Sequence, residues 1–221
     1  MNFKVVEKFV SINGEGNLSG ELAVFIRFKG CNLDCSYCDT KWANDKSAEY
    51  EVMTSNQIYD FIKETKVKNV TLTGGEPLLQ KGIDDLLKLL SSDENLSLEI
   101  ETNGSVNLKE FKSIKDSIKF TMDYKLPSSN MEDKMDLSNF DYLNRNDVVK
   151  FVVGSIEDLD KTKKIIDKYN LTFKTNVYIS PVFEKIELNK IVDYMKDNNM
   201  NKVKFQIQIH KIIWSKDKRG V

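Results

Sequence analysis

Histidine occurs once in this chain of 221 residues, at His210, and cysteine and proline occur three times each. An odd cysteine count leaves a thiol over from any set of disulfides, and the opening Met1-Asn2-Phe3-Lys4 lacks the apolar segment of a secretion signal. A disulfide framework is therefore not expected. Three prolines and no low-complexity stretch speak against a flexible interdomain linker, and no repeat recurs at a solenoid period. An excess of one charge sign is missing too, since 33 Lys and Arg against 34 Asp and Glu leave a net charge of −1. Without a basic stripe or patch, direct RNA or DNA binding is disfavoured. No apolar run approaches the length of a membrane span. These absences lead us to expect a cytoplasmic protein, folded as a single domain over residues 1–221 with one sizeable core.

What is present is concentrated in one decapeptide, Cys31-Asn32-Leu33-Asp34-Cys35-Ser36-Tyr37-Cys38-Asp39-Thr40, which holds all three cysteines. Thiols separated by three and then two residues can converge on one soft metal centre, and thiolates select iron–sulfur clusters or zinc. Three ligands leave one iron of a four-iron cluster without a cysteine, and an open iron can chelate a small molecule. A structural zinc site completed by His210 satisfies the ligand count as well. Three buried structural cysteines are less natural in a loop bordered by Gly30, Asn32, Asp34 and Asp39.

Along the chain, strands are expected over Lys4–Val10 and Leu22–Lys29, with the loop Ser11-Ile12-Asn13-Gly14-Glu15-Gly16 between them. Arg27 interrupts the second strand, and a guanidinium there must be paired, snorkel outward or bind an anion. Thr54-Ser55-Asn56-Gln57 reads as a capping box opening a helix. Strand and helix then alternate: strand Asn69–Thr73, helix Gly82–Ser91, strand Ser97–Glu101, helix Leu108–Ile114 and strand Ile118–Met122. An irregular insertion is expected around residues 123–146. Beyond it come strand Val148–Val153, helix Ile156–Tyr169 capped by Ser155, strand Lys174–Ser180, helix Leu188–Asn198 and strand Lys202–Ile209. Such a rhythm implies an α/β fold of about six parallel strands, either an open, partial βα barrel or a doubly wound sheet. In both, functional residues gather at the carboxyl ends of the strands. That is where Cys31, Gly74 to Glu76, Glu101, Asn103, Asp123, Lys125, Ser180, Gln208 and His210 fall.

The three-cysteine loop with Tyr37 before its last cysteine resembles the cluster motif of the radical S-adenosylmethionine (SAM) superfamily, and Gly74-Gly75-Glu76-Pro77 resembles that superfamily's SAM-binding motif. The resemblance favours the partial barrel. It narrows to the 7-carboxy-7-deazaguanine synthases on Ser11 to Gly16, Arg27 to Leu33, Cys38-Asp39-Thr40, Glu101-Thr102-Asn103-Gly104, Gln208-Ile209-His210-Lys211 and Arg219-Gly220-Val221. The resemblance implies a lyase of queuosine and 7-deazapurine biosynthesis that converts 6-carboxy-5,6,7,8-tetrahydropterin to 7-carboxy-7-deazaguanine and ammonia. Its cofactors would be a [4Fe-4S] cluster on Cys31, Cys35 and Cys38, SAM, and Mg2+ on Thr40. SAM would meet Tyr37, Asp39, Gly74, Gly75, Glu76 and Lys125. The pterin would meet Ile12, Asn13, Gly14, Glu15, Arg27, Thr73, His210 and the carboxylate of Val221. No protein radical or base is assigned. An electron donor such as a flavodoxin or ferredoxin and a homodimeric state are also implied.

Two departures stand out. Asn13 occupies a position where family members often carry glutamine, and Asp123-Tyr124-Lys125 replaces a Ser-Pro-Lys-like triplet. The competing readings are another small radical SAM enzyme, such as an activase of an anaerobic ribonucleotide reductase, and a non-enzymatic zinc or iron–sulfur module.

Overall fold

The computed structural model describes residues 1–216 and 218–221. Its strands are β1 (Asn2–Ile12), β2 (Leu22–Phe28), β3 (Glu51–Thr54), β4 (Asn69–Gly74), β5 (Ser97–Thr102), β6 (Lys119–Tyr124), β7 (Val148–Val153), β8 (Asn176–Pro181) and β9 (Val203–Phe205). They form one sheet in the order β3-β1-β2-β4-β5-β6-β7-β8-β9. Strands β2 and β4 to β9 run parallel, while β1 is antiparallel to both of its neighbours. The edges β3 and β9 do not pair with each other, so the sheet stays open as expected for a partial barrel.

Parallel strands require long crossovers, and amphipathic helices supply them here. Helix Ser55–Thr65 buries Ile58 and Ile62, and Thr54 and Gln57 close its start with a reciprocal capping box. Helix Ile83–Ser92 buries Ile83, Leu86, Leu87 and Leu90, each such side chain contributing about 1.5–3 kcal/mol on burial. Helix Ile156–Tyr169 starts where the Ser155 side chain accepts from the amide of Asp158 and buries Leu159, Ile165 and Ile166. Helix Leu188–Asp197 adds Ile191.

Several elements differ from the sequence expectation, among them the one-turn helices Lys41–Asn44 and Leu171–Lys174, too short to leave a periodic signal. Strand β3 pairs only with Asn2 to Val5 of β1, and four residues carry too little periodicity to be recognised. The last strand ends at Phe205; just past it Gln206 N still donates to Ile179 O while its side chain accepts from Gly16 N at 2.9 Å. The chain then enters a short helix, His210–Ile213. The helix expected over 108–114 is one turn, Lys109–Lys112.

Strands in an all-parallel sheet are usually apolar on both faces. These strands instead alternate. Val70, Leu72, Leu98, Ile100, Phe120, Met122, Val149 and Phe151 belong to the apolar core. Their neighbours on the opposite face are Thr71, Thr73, Glu99, Glu101, Thr121, Asp123 and Lys150. Buried polar groups must find partners, and on this concave face Thr71 Oγ1 donates to Asn13 Oδ1 at 3.1 Å, Thr121 Oγ1 to Glu99 Oε1 at 2.5 Å, and Tyr178 OH to Asn17 Oδ1 at 2.9 Å.

Between β6 and β7 lie three 3₁₀ turns, Pro127–Ser129, Glu132–Lys134 and Leu137–Asp141. The buried Asn139 fastens them, donating to the carbonyls of Gly104 and Val106 and accepting from Leu108 N. Asp147, fully buried, closes the segment by accepting from Phe120 N, Asn144 N and Lys112 Nζ.

Two stability tests arise from these buried carboxylates. Asp147→Ala strands Lys112 and two backbone donors, so it should lower the unfolding free energy by about 3–5 kcal/mol in urea titrations; a loss within experimental error of zero would refute this role. Burial pushes Glu99 up to about 7 from an ordinary 4.5, against the donation from Thr121. A raised carboxyl favours the folded state fully below its unfolded value and loses that contribution as pH climbs through the folded one. Glu99→Gln should therefore remove a decline in stability between about pH 4.5 and 7, worth up to about 3 kcal/mol. Equal pH slopes for variant and wild type would contradict it.

Candidate active site

The carboxyl ends of the parallel strands open on a cleft of about 710 Å³, within the range of small-molecule sites. Every site residue expected from the sequence lines it except Asn13 and Glu76.

The loop between β2 and the short helix Lys41–Asn44 carries the three thiols, and it is braced from several sides. Ser36 N and Oγ donate to the carbonyls of Ser129 and Ser128, and Tyr37 OH donates to Val152 O at 3.4 Å. Asn32 Nδ2 donates to Ser105 Oγ at 2.8 Å. Cys31, Cys35 and Cys38 are free, and all three border the cleft. Burial raises the Cys31 thiol, against the donors Leu33 N and Asn103 Nδ2. Burial raises Cys35 as well, opposed by nearby Lys125. Thr40 Oγ1 lies 3.5 Å from Cys38 Sγ and makes no cap bond to the helix that it precedes.

Gly74 and Gly75 end β4 where the chain runs against the end of β2. Gly74 has φ +137°, and a Cβ there would strike the Phe28 backbone. A Cβ on Gly75 would strike the Gly30 carbonyl, so only glycine lets the two loops touch. Glu76 lies just behind the cleft wall. Its carboxylate is fully buried and accepts from Leu78 N, Thr102 Oγ1 and Asn103 N. It ties β4 to the end of β5, and burial raises it to about 7.

On the opposite wall, Glu15 is held by three elements. Ser180 Oγ donates to Oε1 at 2.7 Å, and Lys150 Nζ and Gln208 Nε2 donate to Oε2 at 3.1 and 3.3 Å. Lys150 stays charged despite its burial, because Glu15, Asp123 and Glu101 surround it. Next to Glu15, a Cβ on Gly14 would collide with the His210 ring, and Ile209 N donates to Gly14 O at 3.3 Å. Burial lowers His210 below its ordinary 6.5, so its imidazole is neutral at pH 7. Asn13 is buried behind this loop, where its side chain accepts from Thr71 and its backbone bonds Glu21 and Gly20. It shapes the loop and does not reach the cleft.

Of the three fates open to Arg27, to be paired, to snorkel outward or to bind an anion, the structure shows pairing: its Nε donates to Glu7 Oε2 at 3.0 Å. Among the described residues it has no other hydrogen-bond partner, so its terminal nitrogens remain available to a ligand. At the end of β6, Lys125 Nζ donates to Asp123 Oδ2 at 2.7 Å, while Asp123 Oδ1 is buried without a donor. Lys211 reaches Asp39 at 3.4 Å. The tail arrives at the cleft with Val221, and the Arg219 guanidinium lies 3.9 Å from the centre of the Trp42 ring, a cation–π contact. Glu7, Trp42 and Lys150 escaped the sequence reading. For Lys150 a signal existed in the charged residue at the middle of Val148 to Val153, the same sign that marked Arg27.

Among the described residues, no three His, Cys, Asp or Glu side chains gather on a single ion. The thiols border a cavity instead, and two N–H groups already aim at Cys31 Sγ. Three free thiols around a space, with donors for their charge, form a donor set that fits an iron–sulfur cluster. Uncapped and beside that space, Thr40 offers the kind of hard oxygen that suits Mg2+.

Comparison with known proteins agrees with this chemistry. Residues 25–197 match the Radical SAM superfamily. Over its whole length the chain is 64% identical to the 7-carboxy-7-deazaguanine synthase of Clostridium acetobutylicum, which it also covers completely. It is 33% identical to the synthase of Leptospira interrogans, covering 98% of this chain and 97% of that one. The crystal structure of QueE from Escherichia coli superposes with a TM-score of 0.76 at 20% identity, over 94% of each chain, and so shares the fold. By sequence, then, the chain belongs to the radical SAM superfamily and, within it, to the 7-carboxy-7-deazaguanine synthase family.

Proposed function

We infer that this protein is a radical SAM lyase that converts 6-carboxy-5,6,7,8-tetrahydropterin to 7-carboxy-7-deazaguanine with loss of ammonia, in queuosine and 7-deazapurine biosynthesis. The observation that carries this is the meeting, in one cleft, of three free thiols with the carboxylate of Glu15 and the guanidinium of Arg27. An iron–sulfur site, an acceptor for an aminopyrimidinone edge and a clamp for a carboxylate are the parts that such a reaction needs.

Cys31, Cys35 and Cys38 would hold the [4Fe-4S] cluster, which together with SAM supplies one-electron cleavage and hydrogen-atom transfer when bound. The protein's own work is to orient, to exclude water and to place charge. Backbone carbonyls at Gly74 and Gly75, unscreened by side chains, would face the ammonium of SAM, with Lys125, Tyr37 and Asp39 beside it. Ile12 and Gly14 backbone groups and Glu15 would read the donor edge of the pterin, since a carboxylate accepts two parallel N–H bonds. Arg27, with Nε fixed by Glu7, would offer its remaining fork to the substrate carboxylate. Neutral His210, Thr73 and the carboxylate of Val221 would complete the wall, and Thr40 would give its hydroxyl to Mg2+. Asn13 and Glu76 would position these groups from behind. A flavodoxin or ferredoxin as electron donor, a homodimeric state and a cytoplasmic setting belong to the same proposal.

Anaerobic turnover of the reconstituted protein with the pterin, SAM, Mg2+ and dithionite should yield 7-carboxy-7-deazaguanine by mass with little net loss of SAM. Methionine and 5′-deoxyadenosine in stoichiometric amounts, with no deazaguanine, would instead point to an activase. Arg27→Ala removes a charge-assisted interaction worth about 1.5–3 kcal/mol in all, so KM for the carboxylated substrate should rise about 10- to 100-fold with a smaller change in kcat. An unchanged KM would remove Arg27 from the substrate site.

A further inference from the structure

Of the three thiols, Cys31 has a donor brought to it by a distant strand. Leu33 N lies 3.4 Å from Cys31 Sγ, but that bond belongs to the loop's own backbone, and almost any residue would supply it. The second donor, Asn103 Nδ2 at 3.5 Å, comes from the residue that follows β5. Its orientation is strongly determined. Asn103 Oδ1 accepts from Ser105 N at 2.9 Å and from Ser105 Oγ at 2.6 Å, so the amide can only turn its NH2 toward the cysteine loop. One hydrogen of Nδ2 serves Asn32 Oδ1 at 3.0 Å, which leaves the other for the sulfur. The backbone is fixed too, because Asn103 N donates to the buried Glu76 Oε2 at 2.7 Å. An amide held at both ends, nearly excluded from solvent and aimed at one sulfur is a built donor.

Hydrogen bonds to cluster sulfurs draw charge from the thiolate and stabilise the more electron-rich, reduced state, which raises the reduction potential. We propose that Asn103 is a positioning residue for electron entry: through its hydrogen bond to Cys31 Sγ it sets the reduction potential of the cluster. The inference rests on assigning the cluster to the three cysteines and does not depend on the identity of the substrate.

The test is an EPR-monitored redox titration of the anaerobically reconstituted full chain, without pterin, after iron and sulfide analysis of each sample. Asn103→Ala should shift the midpoint to more negative potential. Asn103→Asp, which faces the sulfur with an oxygen and a charge, should shift it further. Ser105→Ala, which removes one of the two donors that hold the amide, should give a smaller shift of the same sign. In D2O, pulsed EPR should show an exchangeable deuteron coupled to the wild-type cluster whose signal weakens in Asn103→Ala. A purely structural role would leave the potential unmoved in any variant that retains a full cluster. Wild-type potentials in Asn103→Ala and Asn103→Asp would therefore overturn the proposal. Should neither variant load iron, the wild type and Ser105→Ala decide it: a wild-type cluster with no coupled exchangeable deuteron, or a midpoint that stays put in Ser105→Ala while its deuteron signal weakens, would also overturn it. Zinc without sulfide in the wild type would instead refute the cluster assignment itself, and failure of pterin turnover alone would leave this inference standing.

Discussion

An ammonium buried on the concave side of a sheet has to be matched by carboxylates, and the arrangement around Lys150 shows how much follows from that requirement. Its Nζ pairs with Glu15 at 3.1 Å, with Asp123 and Glu101 close enough to favour its charge. Removing such a charge from water costs several kcal/mol unless partners surround it. The partners here come from the loop after β1 and from β5 and β6, so satisfying one cation draws three separate pieces of chain together. Glu15 is thereby aimed before any ligand arrives, and a pre-aimed acceptor loses less freedom on binding than a mobile one.

Much of the architecture can be read from the chain alone because its helices are strongly amphipathic. Leu86, Leu87 and Leu90 recur at helical spacing, Thr54 and Gln57 close a capping box, and Ser155 marks a start. Local rules decide these elements, and tertiary context agrees with them. Strand β3 and the end of β9 were illegible for the opposite reason. The first is defined by the β1 edge that it pairs with, and just past the second Gln206 engages Gly16, a residue 190 positions away.

The site divides in the same manner. Cysteine spacing and glycine pairs are local signals, and they lead directly to the cleft. Asn13 and Glu76 show that a motif names a residue without saying which way its side chain points: both sit behind the cleft wall, where their oxygens accept from buried donors. Lys150 was hidden in an apolar run. Its meaning appears once the period-two alternation of β4 to β7 is set against the two-sided burial usual for parallel strands. The polar member of each pair then maps the inner wall.

The bracing of the cysteine loop bears on what happens when oxygen reaches the protein. In many small metalloproteins the metal is the fold, and the emptied chain unravels. Here the anchors at Ser36, Tyr37 and Asn32 run to Ser128, Ser129, Val152 and Ser105 without using a thiol. Anchors that leave every sulfur unused would let the loop keep its shape with bare thiols, so oxidative loss of a bound cluster would call for repair and reloading instead of disposal and fresh synthesis.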